Sequence, residues 1–542
     1  MAKPERIDKL VPILSADEAV QWIPNCATVA FSGAGGGLGE PTLIIEALAR
    51  RFRESQEPRD LTFFHTTGLG DRADRGMSPL ALHGLCRRII GGHWGQSPRL
   101  AEMAERGEIE AYNFPQGVMC QLLRAAAAGQ PGILSHVGLG TFVDPRQAGG
   151  KLNGVTKEDL IQLIEMNGQE WLFYQVIRPD VAIIRGTTAD TEGYISMEDE
   201  IAYLDTLAMA QAVHNNGGFV IVQVHRLVKA RTFHPKSVKI PGYLVDAVVV
   251  NSEQTQLYAG SVNRFVSGDY VMPTGRTAPL PLTERKVIVR RALLEVAPGN
   301  VGNVGVGISD GIGIVAQEEG IEEDFTLTVE LGPIGGISAQ GIYFGASVNT
   351  QALLDMPSQF DFYDGGGLDI CFLSFAEVDQ MGNVNVHRFN GKIMGTGGFI
   401  DISQNSKRII FNGTLTAGGL RTTVEDGTIR VLQEGKFKKF VKQVQEITFN
   451  GRDVLQRGQE VIYVTERAVF RLTLDGLELC EIAPVINFET DVIAQMGFRP
   501  KIASDLKEMD ERLFLPHPMG IRSQFENLRK DTKWPNSKGG ST

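Results

Sequence analysis

With 542 residues the chain is too long for one ordinary hydrophobic core, and its length predicts two to four domains. A composition of 42% apolar and 22% charged residues is that of a water-soluble globular protein, and a net charge of −11 argues against nucleic acid as the main partner. Five cysteines stand far apart with no CxxC pair, which speaks against a disulfide framework or a cysteine zinc site and predicts reduced, buried thiols.

The opening segment, "MAKPERIDKLVPILSADEAVQWIP", has scattered charges and no apolar h-region, so it does not read as a signal peptide. No run of about 18 apolar residues offers a membrane span, and a cytoplasmic address is expected. Next, "TVAFSGAGGGLGEP" reads as a buried strand, a glycine loop and the start of a helix, continued by "PTLIIEALARRF". "RDLTFFHTTGLG" is a second strand and loop. Its extension "GLGDRA" fits a relaxed dinucleotide fingerprint, but "DRADRGMSPLA" makes a poor crossover helix, so a nicotinamide enzyme is not expected. His93 in "GGHWG" reads as a turn residue rather than a metal ligand. The loop "YNFPQGV" presents Gln116 after a proline.

From "FYQVIRPDVAIIRGTTADTEGYIS" onward the chain repeats itself. Phe173, Tyr174, Asp180, Asp190 and Gly193 are matched 189 positions later by Phe362, Tyr363, Asp369, Asp379 and Gly382, in "FYDGGGLDICFLSFAEVDQMGNVNV". "FVIV" at 219–222 meets "RIIF" at 408–411 in that register. Upstream, "RDLTFFHTTGLG" lies over "EDFTLTVELGPIGG" at an offset of 264, and the glycine loop of "TVAFSGAGGG" parallels "VGNVGVGISDGIG". The expected fold is therefore α/β, with two similar open domains related by internal duplication and mostly parallel sheets flanked by helices. The expected boundaries are 1–255 for the first domain, 256–285 for a Pro/Gly-rich linker, 286–525 for the second domain and 526–542 for a disordered tail.

The second half contains the candidate chemistry. Glu330 ends an apolar strand and enters a loop with Gly332, Gly335 and Gly336, where α/β folds bind ligands; at the equivalent point the first half has Thr66. A carboxylate there can serve as base, metal ligand or covalent nucleophile, or can simply cap the loop. "GISDG" fits a G-x-S-x-G nucleophile elbow, so Ser309 with His387 or His517 is the rival reading, a serine thioesterase or hydrolase. "GTGGFID" offers free backbone N–H groups, and with Gln116 it could donate to a developing oxyanion. "GKFKKFVK" at 435–442 reads as a solvated hairpin face.

Taken in order, "TVAFSGAGGGLGEP", "YNFPQGVMCQLLRAAAAGQPGI", "VELGPIGG", "FDFYDGGGLD", "VDQMGNVNV", "GTGGFIDIS" and "LTAGG" resemble the family I coenzyme A transferases, in particular the single-chain acetate/propionate type with fused α- and β-like parts. That resemblance implies that Glu330 is the catalytic glutamate. It also implies that Gln116 and the Gly397/Gly398 backbone are the oxyanion donors, and that Gly305, Val306, Gly307, Ile308, Ser309 and Asn383 lie along CoA. Leu331 stands where many relatives carry a small or polar residue. The implied reaction moves CoA from a short-chain acyl-CoA to a free carboxylic acid, by ping-pong through an acyl-glutamyl anhydride and a glutamyl-CoA thioester. CoA is then a substrate, no cofactor or metal is expected, and the implied assembly is a homodimer or homotetramer. A non-catalytic acyl-CoA-binding protein with the same duplicated fold is the other class to distinguish.

Overall fold

The computed structural model describes residues 9–273 and 277–531, and side chains through residue 528. Residues 1–8, and the segment "TKWPNSKGGST" of the expected tail, lie outside the described residues. Each half is built on one sheet. In the first, eight parallel strands run in the order Ile13–Leu14, Ala247–Val250, Phe219–Val224, Val181–Arg185, Thr28–Phe31, Leu61–His65, Cys86–Gly91 and Glu110–Asn113. The central strands are buried end to end, as the uninterrupted apolar runs require when helices cover both faces. Thr42–Ser55 and Gln116–Ala127 are two of these helices.

The second sheet contains the same core order. Glu460–Val464, Arg408–Asn412, Ile370–Ser374, Val301–Val304 and Thr326–Thr328 are parallel neighbours, matching Ala247–Val250, Phe219–Val224, Val181–Arg185, Thr28–Phe31 and Leu61–His65. The duplicated aspartates perform the same tasks. Asp180 accepts from the Thr28 N–H at 2.7 Å and Asp369 from the Val301 N–H at 2.9 Å, so each ties the start of one central strand to the next. Asp190 accepts from the N–H groups of Glu192 and Tyr194, and Asp379 from those of Met381 and Asn383, closing equivalent turns at Gly193 and Gly382.

The second sheet adds antiparallel pieces at both ends. One of them, Pro333–Ile334, folds back onto Thr326–Thr328 and makes a hairpin whose tip contains Glu330. Between Val250 and Glu284 there is no helix or strand among the described residues, yet Tyr258 packs on Gly37 and its hydroxyl reaches the Glu40 carboxylate. Two expectations are corrected. The final helix, Arg522–Asp531, makes residues 526–531 of the expected tail helical. Cys26 is exposed rather than buried, because it sits in the left-handed turn (φ 62°) that leads into the strand at Thr28. All five cysteines are unpaired.

Candidate active site

The hairpin explains the sequence around Glu330. The Gly332 N–H donates to the Val329 carbonyl at 3.0 Å and the Val329 N–H to the Pro333 carbonyl, so Glu330 and Leu331 form a tight turn. Gly332 has φ 123°, and a Cβ there would sit 2.2 Å from the Leu354 carbonyl oxygen, so only glycine fits. The turn leaves the Glu330 side chain without any hydrogen-bonded side-chain partner among the described residues, and burial raises its pKa from 4.5 to about 7.

Glu330 lies where two cavities meet. A small one, about 80 Å³, is lined by apolar Ala34, Leu331, Ile342 and Phe344 and by polar Gln96 and Gln116. A larger one, about 590 Å³, runs past Leu373, Phe375, Phe389, Met394, Phe399 and Ile402 and is mostly apolar. Arg72, His93, Val306, Glu330 and Gly397 line both. Two other hollows, of about 300 and 790 Å³, contain neither Glu330 nor Gln116.

Both halves contribute to this junction, and backbone bonds stitch them together there. The Gln116 N–H donates to the Gly397 carbonyl at 3.1 Å, and the Gly397 N–H donates to the Gly92 carbonyl at 2.8 Å. The N–H groups of Trp94 and Gly95 both reach the Met394 carbonyl, and the Thr396 N–H reaches Asn113 Oδ1. Asp401 accepts from the Val118 N–H, fixing the helix that begins at Gln116. Burial pushes this carboxyl up to about 8, and the nearby Glu330 charge adds to the effect.

The structure sorts the expected residues. Gln116 is buried beside the small cavity, with Nε2 donating to Met356 Sδ at 3.1 Å and one amide hydrogen to spare. Gly397 lines both cavities, but its N–H is committed to Gly92, so it shapes the turn (φ 54°) rather than offering a donor. The Gly398 N–H carries no such bond among the described residues. Gly305 and Val306 line the larger cavity, whereas Gly307, Ile308 and Ser309 do not. Asn383 is absent from the lining as well, since its side chain donates to Asp379 and accepts from the Gly451 N–H to close its own turn.

The serine elbow does not form. Ser309 is fully buried and accepts from Asn412 Nδ2 at 2.9 Å. His387 is engaged by Thr448 at Nδ1 and Glu446 at Nε2 and stacks on Phe142, while the His517 ring reaches the Pro518 carbonyl. Neither histidine can serve Ser309 as base. The solvated hairpin face is also wrong in one respect, because Lys439 is buried with its ammonium 3.9 Å from the Phe375 ring centroid. Burial lowers its pKa to about 7.

Three site residues escaped sequence reasoning. His93, read as a turn residue, does make a bridge to Gly395, but its ring also lines both cavities. Its Nδ1 is buried without a partner, and burial lowers its pKa to about 4, with Arg72 contributing, so the ring is neutral. Gln96 lines the small cavity with its Oε1 likewise unpartnered. Arg72 stands at the junction. Their signal was positional, since all three follow the carboxyl ends of parallel strands, Leu61–His65 and Cys86–Gly91, where such sheets bind ligands.

Comparison with known proteins identifies the family. The family model described as coenzyme A transferase matches residues 13–251. Acetate CoA-transferase YdiF of Escherichia coli strain K12 is 62% identical over 520 residues, spanning 96% of this chain and 98% of its own. Caffeate CoA-transferase of Acetobacterium woodii is 42% identical over 513 residues, 93% of this chain and 98% of its own. The crystal structure of the acyl-CoA transferase YdiF from Escherichia coli O157:H7, a thioester complex with CoA, matches with a TM-score of 0.92 at 60% identity, covering 96% of this chain and 99% of that one.

Proposed function

This chain belongs to the coenzyme A transferase family and is a CoA-transferring enzyme, and from that premise we propose that Glu330 is its nucleophile in transfer between a short-chain acyl-CoA, such as acetyl-CoA, and a free monocarboxylic acid. The observation that carries the reading is a carboxylate without a side-chain partner at the junction of a small and a long cavity. The long apolar cavity suits the pantetheine arm, and the small one suits an acyl group of a few carbons walled by Leu331, Ile342 and Phe344.

A Glu330 oxygen attacks the thioester carbonyl, the C–S bond breaks, and CoA leaves as thiolate while an acyl-glutamyl anhydride forms. The thiolate then attacks the glutamyl carbonyl, releasing the first acid as carboxylate and leaving glutamyl-CoA. An incoming carboxylate reverses these steps. Each step exchanges one anion for another, so no proton is moved and a general base is unnecessary; neutral His93 fits that economy. An anhydride and a thioester keep the activation of the original thioester, which a serine ester would dissipate.

Gln116 Nε2 and the Gly398 N–H are the proposed oxyanion donors. Gly305 and Val306 are the proposed contacts to the CoA arm, with CoA as substrate rather than cofactor. Water exclusion is provided by the segment Gly341–Phe344, which closes against the first-half glycine loop: a Cβ on Gly36 would meet the Ile342 carbonyl oxygen at 2.3 Å. Among the described residues no helix is long and apolar enough to cross a membrane. Five unpaired cysteines fit work in the cytoplasm, and assembly as a homodimer or homotetramer is part of the proposal.

Incubation with acetyl-CoA in the absence of acceptor should add the mass of CoA less one water to the peptide containing Glu330. An acyl group found on Ser309 instead would overturn the assignment.

A further inference from the structure

We propose that Arg72 binds the carboxylate of the incoming acid and aims it at CoA-loaded Glu330, a role that rests on the transferase reading above. The placement is specific. Arg72 lines both cavities together with Glu330, on the loop that follows the strand Leu61–His65. Its backbone adopts φ 65°, uncommon for a residue with a side chain, and is held there by a 2.9 Å bond from its N–H to the Gln96 carbonyl.

Its charge is available. The guanidinium makes no ion pair among the described residues, and the adjacent Asp71 is occupied with the N–H groups of Ala73 and Arg75. Lys392, the other cation on the cavity walls, lines only the long cavity and is paired with Glu105 at 3.1 Å. His93 at the junction is neutral. An acid entering this junction in a protein of net charge −11 therefore meets one uncommitted positive group, and its planar fork matches a carboxylate. The CoA phosphates are an unsuitable alternative ligand, because the whole pantetheine arm separates them from the sulfur that must reach Glu330.

The step that Arg72 would serve is the second half-reaction. One oxygen of the bound carboxylate attacks the carbonyl carbon of the glutamyl-CoA thioester, the C–S bond breaks, CoA departs as thiolate, and the acyl-glutamyl anhydride is formed. One negative charge enters and one leaves. Arg72 holds the second oxygen of the nucleophile while the alkyl tail occupies the small cavity.

The test compares the full-length enzyme with Arg72→Gln and Arg72→Lys. Each is first loaded with acetyl-CoA without acceptor and assayed for CoA on the Glu330 peptide, then studied at steady state with isotopically labelled acetate as varied acceptor, read as label entering acetyl-CoA. Arg72→Gln should still load Glu330, and its KM for acetate should rise about 10- to 100-fold, the scale of a lost charge-assisted pair. Its KM for acetyl-CoA should hold, and Arg72→Lys should recover part of the acetate affinity. An unchanged KM for acetate, a rise in KM for acetyl-CoA instead, or failure of Arg72→Gln to load would overturn the proposal. Failure of the unsubstituted enzyme to load would instead overturn the role of Glu330.

Discussion

Thr66 and Glu330 end equivalent strands in the two halves, yet their surroundings are opposite. The Thr66 hydroxyl donates to Asp205 Oδ2 at 2.7 Å in a buried cluster completed by Ser32, while Glu330 stands on a hairpin tip facing two cavities with no side-chain partner. One copy of the strand end is satisfied and structural. The other is left unsatisfied, and that is where we propose the reactivity lies: a carboxylate lifted to about 7 by burial is poorly solvated and better poised to attack.

Removing the reactive member should have the largest effect. Glu330→Ala should lower turnover roughly 10⁴-fold or more, with circular dichroism unchanged, because no other group at the junction can form the anhydride. Next comes the turn that presents it. Gly332→Ala places a Cβ against the Leu354 carbonyl in a left-handed conformation, and the resulting shift of Glu330 should cost about 100-fold in kcat, read against unchanged CoA affinity.

The raised pKa also makes a stability prediction. Native Glu330 holds its proton up to about 7, whereas the unfolded carboxyl releases it near 4.5, so its contribution to stability is present at low pH and is lost as pH climbs through about 7. Glu330→Gln should therefore raise the melting temperature at pH 8 but not at pH 4, the difference being on the order of 3 kcal/mol. A residual slope should persist, because buried Glu40 is also raised to about 7. The ionised form is the proposed nucleophile, so kcat/KM should rise with pH through the same region as stability falls.

The quiet member of the pair should behave differently. Thr66→Val leaves Asp205 Oδ2 without a partner and should cost about 2 kcal/mol in denaturant unfolding, with turnover per folded molecule retained. Smallest of all, Ser309→Ala removes one acceptor from Asn412, costing about 1 kcal/mol, and should still load CoA on Glu330.

The duplication was legible because identical tasks need identical residues at a fixed spacing: Asp180 and Asp369 tie strands, and Asp190 and Asp379 close turns. Glu330 was legible as the point where that repetition stops. What the sequence concealed was convergence from distant loops. Arg72, His93 and Gln96 come from segments that read as an imperfect cofactor fingerprint and a turn. The hydrogen bond that commits the Gly397 N–H depends on Gly92, some three hundred positions away. Asn383 shows how a motif residue can also be engaged in its own turn, donating to Asp379 and accepting from the Gly451 N–H.

The bonds from Gln116 to Gly397 and from Gly397 to Gly92 have a consequence for how the enzyme could be divided. The proposed nucleophile and amide donor belong to separate halves, and among the described residues the chain between Tyr258 and Glu284 belongs to neither sheet. Cut within that stretch and produced as two polypeptides, the halves should each fold around an intact sheet and remain inert alone. Mixing them should restore turnover with a concentration dependence that measures how strongly this seam holds.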